Sequence, residues 1–108
     1  MKFEEAKTLI KKHYGTSQFA SDIEIIKIDK LINFSNYYFV ILRKDKDGSA
    51  KLSDLKKTCE FFDYEENYYK DICAKHNVTF NNWAIETKFE SMQDLDNMIA
   101  VLDEIVKA

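Results

Sequence analysis

YYFVILRKDKDGSAKLSDLKKT, residues 37–58, is the stretch from which the fold is read. Six apolar residues, Tyr37 to Leu42, alternate Tyr37, Phe39 and Ile41 on one side with Tyr38, Val40 and Leu42 on the other. A strand apolar on both faces is a central strand or half of an interface. Each of its large side chains contributes roughly 1.5–3 kcal/mol when fully buried, so this strand dominates the expected core. Lys44 to Gly48 then makes a polar turn, with Gly48 suited to positive φ, and Ser49 to Leu52 returns as a short strand. Ser53 is read as the N-cap of a helix, with Asp54 placing negative charge at its positive end.

Upstream, Phe3, Ala6, Leu9 and Ile10 recur at helical spacing, and Gly15 is placed to end that helix in a left-handed conformation. Residues 16–21 read as a loop. Ile23, Ile25, Ile26, Ile28 and Leu31 form a β-branched segment whose alternation slips between Ile25 and Ile26, which predicts a strand with a bulge there or two short strands. Asn33 to Asn36 supplies the reversal before Tyr37.

Downstream, Leu55, Cys59 and Phe62 continue the short second helix. Glu65, Tyr68, Tyr69, Ile72, Cys73 and His76 predict a third helix, with Asn77 as its left-handed cap. Val78 to Phe80 and Trp83 to Ile85 flank Asn81-Asn82, a two-residue hairpin turn. Ser91 with Asp94 opens a last helix whose apolar stripe is Met92, Leu95, Ile99, Leu102, Ile105 and Val106. The order α-β-β-β-α-α-β-β-α predicts an α+β domain over residues 1–108: an antiparallel sheet of four to five short strands in two hairpin runs, with four helices packed on it.

Two glycines, no proline and no repeat in 108 residues leave no linker, so one domain is expected. The N-terminal segment lacks a continuous apolar run and no stretch is long enough to span a bilayer, which points to a cytoplasmic protein with Cys59 and Cys73 as reduced thiols. The net charge of −3 is uneven: residues 1–53 carry 10 basic and 7 acidic side chains, residues 54–108 carry 6 and 12.

Asp45-Lys46-Asp47-Gly48 opens like a calcium loop, but Ser49 and Ala50 stand where that loop needs a third aspartate or asparagine and a glycine. Cys73 and His76, three apart on a helix, could pair as thiolate and base or join Cys59 around a metal. Both cysteines lie on apolar stripes, where cysteine acts as a small hydrophobe. No phosphate loop, nucleophile elbow or dinucleotide fingerprint occurs, so the reading is a binding protein rather than an enzyme, with no cofactor and no metal.

The most unusual composition is residues 60–69, EFFDYEENYY, with five aromatics and four acids. Phe62, Tyr68 and Tyr69 have core positions to fill. Phe61 and Tyr64 fall off the stripes, which leaves Glu60, Phe61, Asp63, Tyr64, Glu65 and Glu66 as an acidic aromatic surface for a protein partner. The alternative partner is a nucleic acid, met by Arg43, Lys44, Lys46, Lys51, Lys56 and Lys57, although Asp45, Asp47 and Asp54 interleave with them. A homodimer is a further expectation, because a strand apolar on both faces needs cover on both.

Gly48, Leu52, Ser53, Asp54 and Thr58, set in FVILRKDKDGSAKLSDLKKT, carry a resemblance to the bacterial "domain of unknown function eighteen-twenty-eight" family over about residues 23–106. The chain departs from that pattern at Leu55 and Lys56, where the family has Asp-Gly, and at Lys27-Ile28-Asp29, where it has Thr-Pro. The resemblance implies an accessory protein of bacteria and their phages, with a regulatory or inhibitory role and no defined activity.

Overall fold

A computed structural model describes residues 1–107. Its elements run α1 (Phe3–Lys11), β1 (Thr16–Ala20), β2 (Ile23–Leu31), β3 (Tyr37–Lys44), β4 (Ala50–Ser53), α2 (Lys57–Glu60), α3 (Glu66–Lys75), β5 (Thr79–Asn81), β6 (Ala84–Lys88) and α4 (Met92–Lys107). All six strands join one antiparallel sheet in the order β1-β2-β3-β4-β6-β5. The α+β class and the four helices match expectation, and the strand count is one above it. The chain is one sheet with one principal core.

Alternation along the strands assigns the two faces of the sheet. Ile26, Ile28, Tyr38, Val40, Leu42, Leu52 and Ile85 share one face and form a single cluster with Phe3, Ala6 and Ile10 of α1, Tyr69, Ile72 and Cys73 of α3, and Leu95, Met98, Val101, Leu102 and Ile105 of α4. The three long helices therefore lie on the same side. Ile25, Tyr37, Phe39, Ile41, Arg43, Lys51, Ser53 and Glu86 fall on the opposite face, which carries no long helix. The sheet is thus apolar on both sides at β3, as its sequence requires, but helices cover only one of them.

Four local expectations are corrected. Thr16–Ala20 is a strand, not a loop: it pairs with Ile23–Ile26, and Thr16 Oγ1 donates to the buried Glu24 carboxylate at 3.1 Å. Ile25 and Ile26 keep regular register with β1 and β3, so there is no bulge between them; Ile25 faces the open side and Ile26 the core. The irregularity lies further on, where Lys27 pairs with Phe39 and Leu31 with Tyr37. Gly15 does not take positive φ; its carbonyl accepts from Lys27 N at 2.8 Å, and a Cβ there would stand 3.3 Å from Lys27 Cδ.

The fourth correction concerns Ser53, which ends β4 rather than opening a helix. Its hydroxyl accepts from Leu55 N at 3.0 Å, and α2 starts only at Lys57, after Leu55 and Lys56 turn through positive φ. By contrast, Gly48 (φ 85°) and Asn77 (φ 58°) are left-handed as read. Asp94 Oδ2 accepts from Glu90 N at 2.7 Å and Ser91 N at 3.1 Å, which closes the start of α4.

Candidate functional site

The acidic aromatic segment is positioned from beneath by Asp54. This side chain is fully buried on the helix side of the sheet and accepts from Ile85 N at 2.9 Å, Lys56 N at 3.0 Å and Thr58 N at 3.3 Å. Burial pushes its pKa up, and the hydrogen bonds from Ile85, Thr58 and Lys56 oppose that rise only in part. These three donors are all backbone amides, so Asp54 fastens the turn and α2 to β6. The Thr58 hydroxyl beside it is the one buried side-chain oxygen without a hydrogen-bond partner among the described residues.

From α2 the chain runs through residues 61–65 into α3. Tyr69 anchors this connection, donating its hydroxyl to Phe62 O at 3.0 Å from a fully buried ring. Around it the aromatic rings form a continuous cluster. Phe62 stacks on Tyr64 with centroids 5.7 Å apart, Tyr64 meets Tyr68 at 4.5 Å and Tyr69 at 5.9 Å, and Tyr69 stacks on Phe80 at 5.4 Å. Trp83 closes the far end, edge-on to Tyr69 at 6.0 Å and to Phe80 at 5.7 Å. Such pairs contribute about 0.5–1.5 kcal/mol each beyond their buried area. The segment therefore rests on a rigid base.

Of the six residues picked from the sequence, Glu60, Phe61, Asp63, Glu65 and Glu66 are exposed. Tyr64 is half-buried, because it precedes α3 and turns back onto Tyr68 and Tyr69; its place is inside the cluster rather than at the rim. Glu60 pairs with Lys57 at 3.7 Å, and Glu66 with Lys70. Asp63 and Glu65 have no ion-pair partner among the described residues. The rim thus presents Phe61, 41% exposed, amid carboxylates of which two are uncompensated.

Trp83 is the residue missed from the sequence. The turn lies one position later than expected, at Asn82-Trp83, with φ of 51° and 67°. Left-handed backbone is costly for a bulky side chain, yet this ring remains 39% exposed at the edge of the cluster. Asn81-Asn82 was a turn signal that located the hairpin without its register.

The competing chemistries have different geometry. Cys73 is buried in the core and burial raises its thiol pKa to about 12; Cys59 is half-buried with its thiol raised to about 11 by burial and then by the Asp54 charge. His76 Nε2 lies 2.9 Å from Glu104 Oε1, and Lys75 pairs with the same carboxylate, so the histidine is engaged there. No cluster of three potential metal ligands exists among the described residues. Asp47 accepts from the Ser49 amide and hydroxyl, which uses its carboxylate to brace the turn. Of the basic residues, Arg43 pairs with Asp45 at 3.6 Å, Lys51 with Glu86 at 3.2 Å and Lys57 with Glu60. No helix among the described residues is long and apolar enough to cross a membrane.

Compared with known proteins, the chain matches no family model, no curated protein and no solved structure.

Proposed function

We propose that this chain is a small protein-interaction module of the inhibitor or immunity type, which engages a basic surface of a partner protein through Glu60, Phe61, Asp63, Tyr64, Glu65 and Glu66. One observation carries the reading: Asp63 and Glu65 are exposed without cation partners in the segment that also exposes Phe61 and sets Phe62 and Tyr64 into the aromatic cluster. Interface anchors are typically aromatic side chains on a rigid base, and uncompensated charge around them steers and selects the partner. Tyr64 acts here as support for the rim.

Affinity capture with the immobilised chain tests this. Wild type retains a basic partner from the native host, identified by mass spectrometry, and the Asp63→Lys/Glu65→Lys double variant loses it. Undiminished capture by the double variant overturns the assignment of this surface.

The nucleic-acid alternative has weaker support, because three of its six cations are already paired with carboxylates. A salt-dependent gel shift with single- or double-stranded probes would favour it.

A further inference from the structure

A second, separate surface lies at the other end of β3, on the β2–β3 hairpin. Between Lys27 and Leu31, β2 sets Ile28, Asp29 and Lys30 against the single residue Tyr38 of β3. The strands part, and a cavity of about 580 Å³ opens where the ladder is interrupted. Its lining includes Ile25, Lys27, Ile28, Asp29, Tyr37 and Phe39. This wall is mainly apolar, with one cation and one carboxylate.

The tip of the same hairpin carries a matching projection. Asn33 Oδ1 accepts from the amides of Ser35 and Asn36, both at 3.1 Å, and Ile32 N donates to Asn36 O at 2.7 Å. This fixed tip holds Phe34 fully exposed, with Leu31 and Tyr37 (57% exposed) beside it. A phenyl ring fits a cavity of about 150 Å³, so the opening admits one with space to spare.

The geometry points to a second copy of this chain as the occupant: two β2–β3 hairpins lie across one another, each seating its Phe34 in the other's cavity. Projection and cavity belong to one hairpin, so a two-fold axis satisfies both contacts at once, as an isologous interface requires. The charges agree with that arrangement. Lys27 and Asp29 are exposed, line the cavity and form no ion pair among the described residues. Across a two-fold axis, Lys27 of one copy meets Asp29 of the other. A large aromatic buries roughly 150–250 Å²; two Phe34 rings with the flanking Leu31 and Tyr37 side chains and the cavity walls bring the interface to the order of 1,000 Å² that a specific contact needs.

Sedimentation equilibrium of the full chain tests the pairing. Wild type sediments at twice 12.8 kDa at the concentrations used for NMR. Phe34→Ser raises the dimer dissociation constant by about 100-fold or more, since two buried rings are lost per dimer, and its circular dichroism is unchanged because Phe34 touches nothing in the monomer. Lys27→Asp weakens association by placing four carboxylates together, and the Lys27→Asp/Asp29→Lys double variant restores it. A wild-type mass that stays at 12.8 kDa overturns the proposal, as does a dimer indifferent to Phe34→Ser or a charge exchange that restores nothing. None of these residues belongs to the acidic aromatic rim, so the two surfaces stand or fall separately.

Discussion

Asp54 and Ile85 exchange two hydrogen bonds: Asp54 N donates to Ile85 O at 3.1 Å, and Ile85 N donates to Asp54 Oδ1 at 2.9 Å. The pair extends the β4–β6 ladder by one residue while the same carboxylate holds the amides of Lys56 and Thr58. Removing it strands several amides in a region that excludes water. Asp54→Ala should therefore cost about 2–4 kcal/mol in urea unfolding. Asp54→Asn keeps one accepting oxygen but turns an amide toward donors, and should cost less than Asp54→Ala. Equal stability of wild type and Asp54→Ala would remove Asp54 from this role.

The acid limb of stability should divide between two aspartates of opposite sign. At Asp103, burial pushes the pKa up, but hydrogen bonds from Lys30 and Tyr38 and the Lys30 charge outweigh it and hold the carboxyl below its usual 3.8. The folded state binds that proton less tightly than the unfolded state, so the stability it contributes is present above pH 3.8 and lost as pH falls through the folded value. Asp54 is raised, so its contribution is full below pH 3.8 and declines as pH rises through its folded value. Urea midpoints measured from about pH 2 to pH 7 should show a flatter acid-side loss for Asp103→Asn, with a cost at neutral pH of about 1 kcal/mol or less for so exposed a tie. A steeper loss would mean that the sign at Asp103 is wrong.

How far these features were legible in the sequence depends on whether local pattern or tertiary partner decides each one. Tyr37 to Leu42 formed its strand as read, and apolar period also placed α4, although its buried stripe runs through Leu95, Met98, Val101, Leu102 and Ile105, with Met92, Ile99 and Val106 only half-buried at its margin. Thr16–Ala20 has no apolar alternation, because Thr16 and Gln18 face a polar margin around Glu24 and Phe19 faces solvent; pairing with β2 makes it a strand. Leu55 and Lys56 carry no preference for positive φ, and Ser53 and Asp54 suit a helix cap as well as the turn bonds they make two residues on, so local pattern does not tell the one from the other. At the candidate site, the exposure of the acids followed from composition. The burial of Tyr64 did not, since a helical wheel does not apply to a residue that precedes the helix.

The two thiols should be slow toward a disulfide reagent in the native protein. Raising the Cys59 pKa from 9.0 to about 11 lowers its thiolate fraction at neutral pH by about 100-fold, and Cys73, near 12, is lowered further. Unfolding in urea should bring both to the rate of an ordinary cysteine. A fast native phase of one equivalent would reveal an activated thiol and revive the catalytic reading of Cys59 or Cys73.

Trp83 offers a way to separate backbone strain from ring packing at the edge of the site. Its φ of 67° is one that glycine adopts freely, and Asn-Gly is the favoured pair for a two-residue hairpin turn. Trp83→Gly and Trp83→Ala both lose the edge contacts to Tyr69 and Phe80, so their difference isolates the backbone. Trp83→Gly should be the more stable by about 1 kcal/mol in urea unfolding, because only alanine keeps a Cβ in the left-handed region. Trp83→Gly should also weaken partner capture if the contact reaches the far end of the aromatic cluster, since it removes the exposed ring there while leaving Asp63 and Glu65 in place. Full capture by Trp83→Gly would confine the partner contact to Phe61 and the carboxylates and leave the Trp83 ring with packing alone.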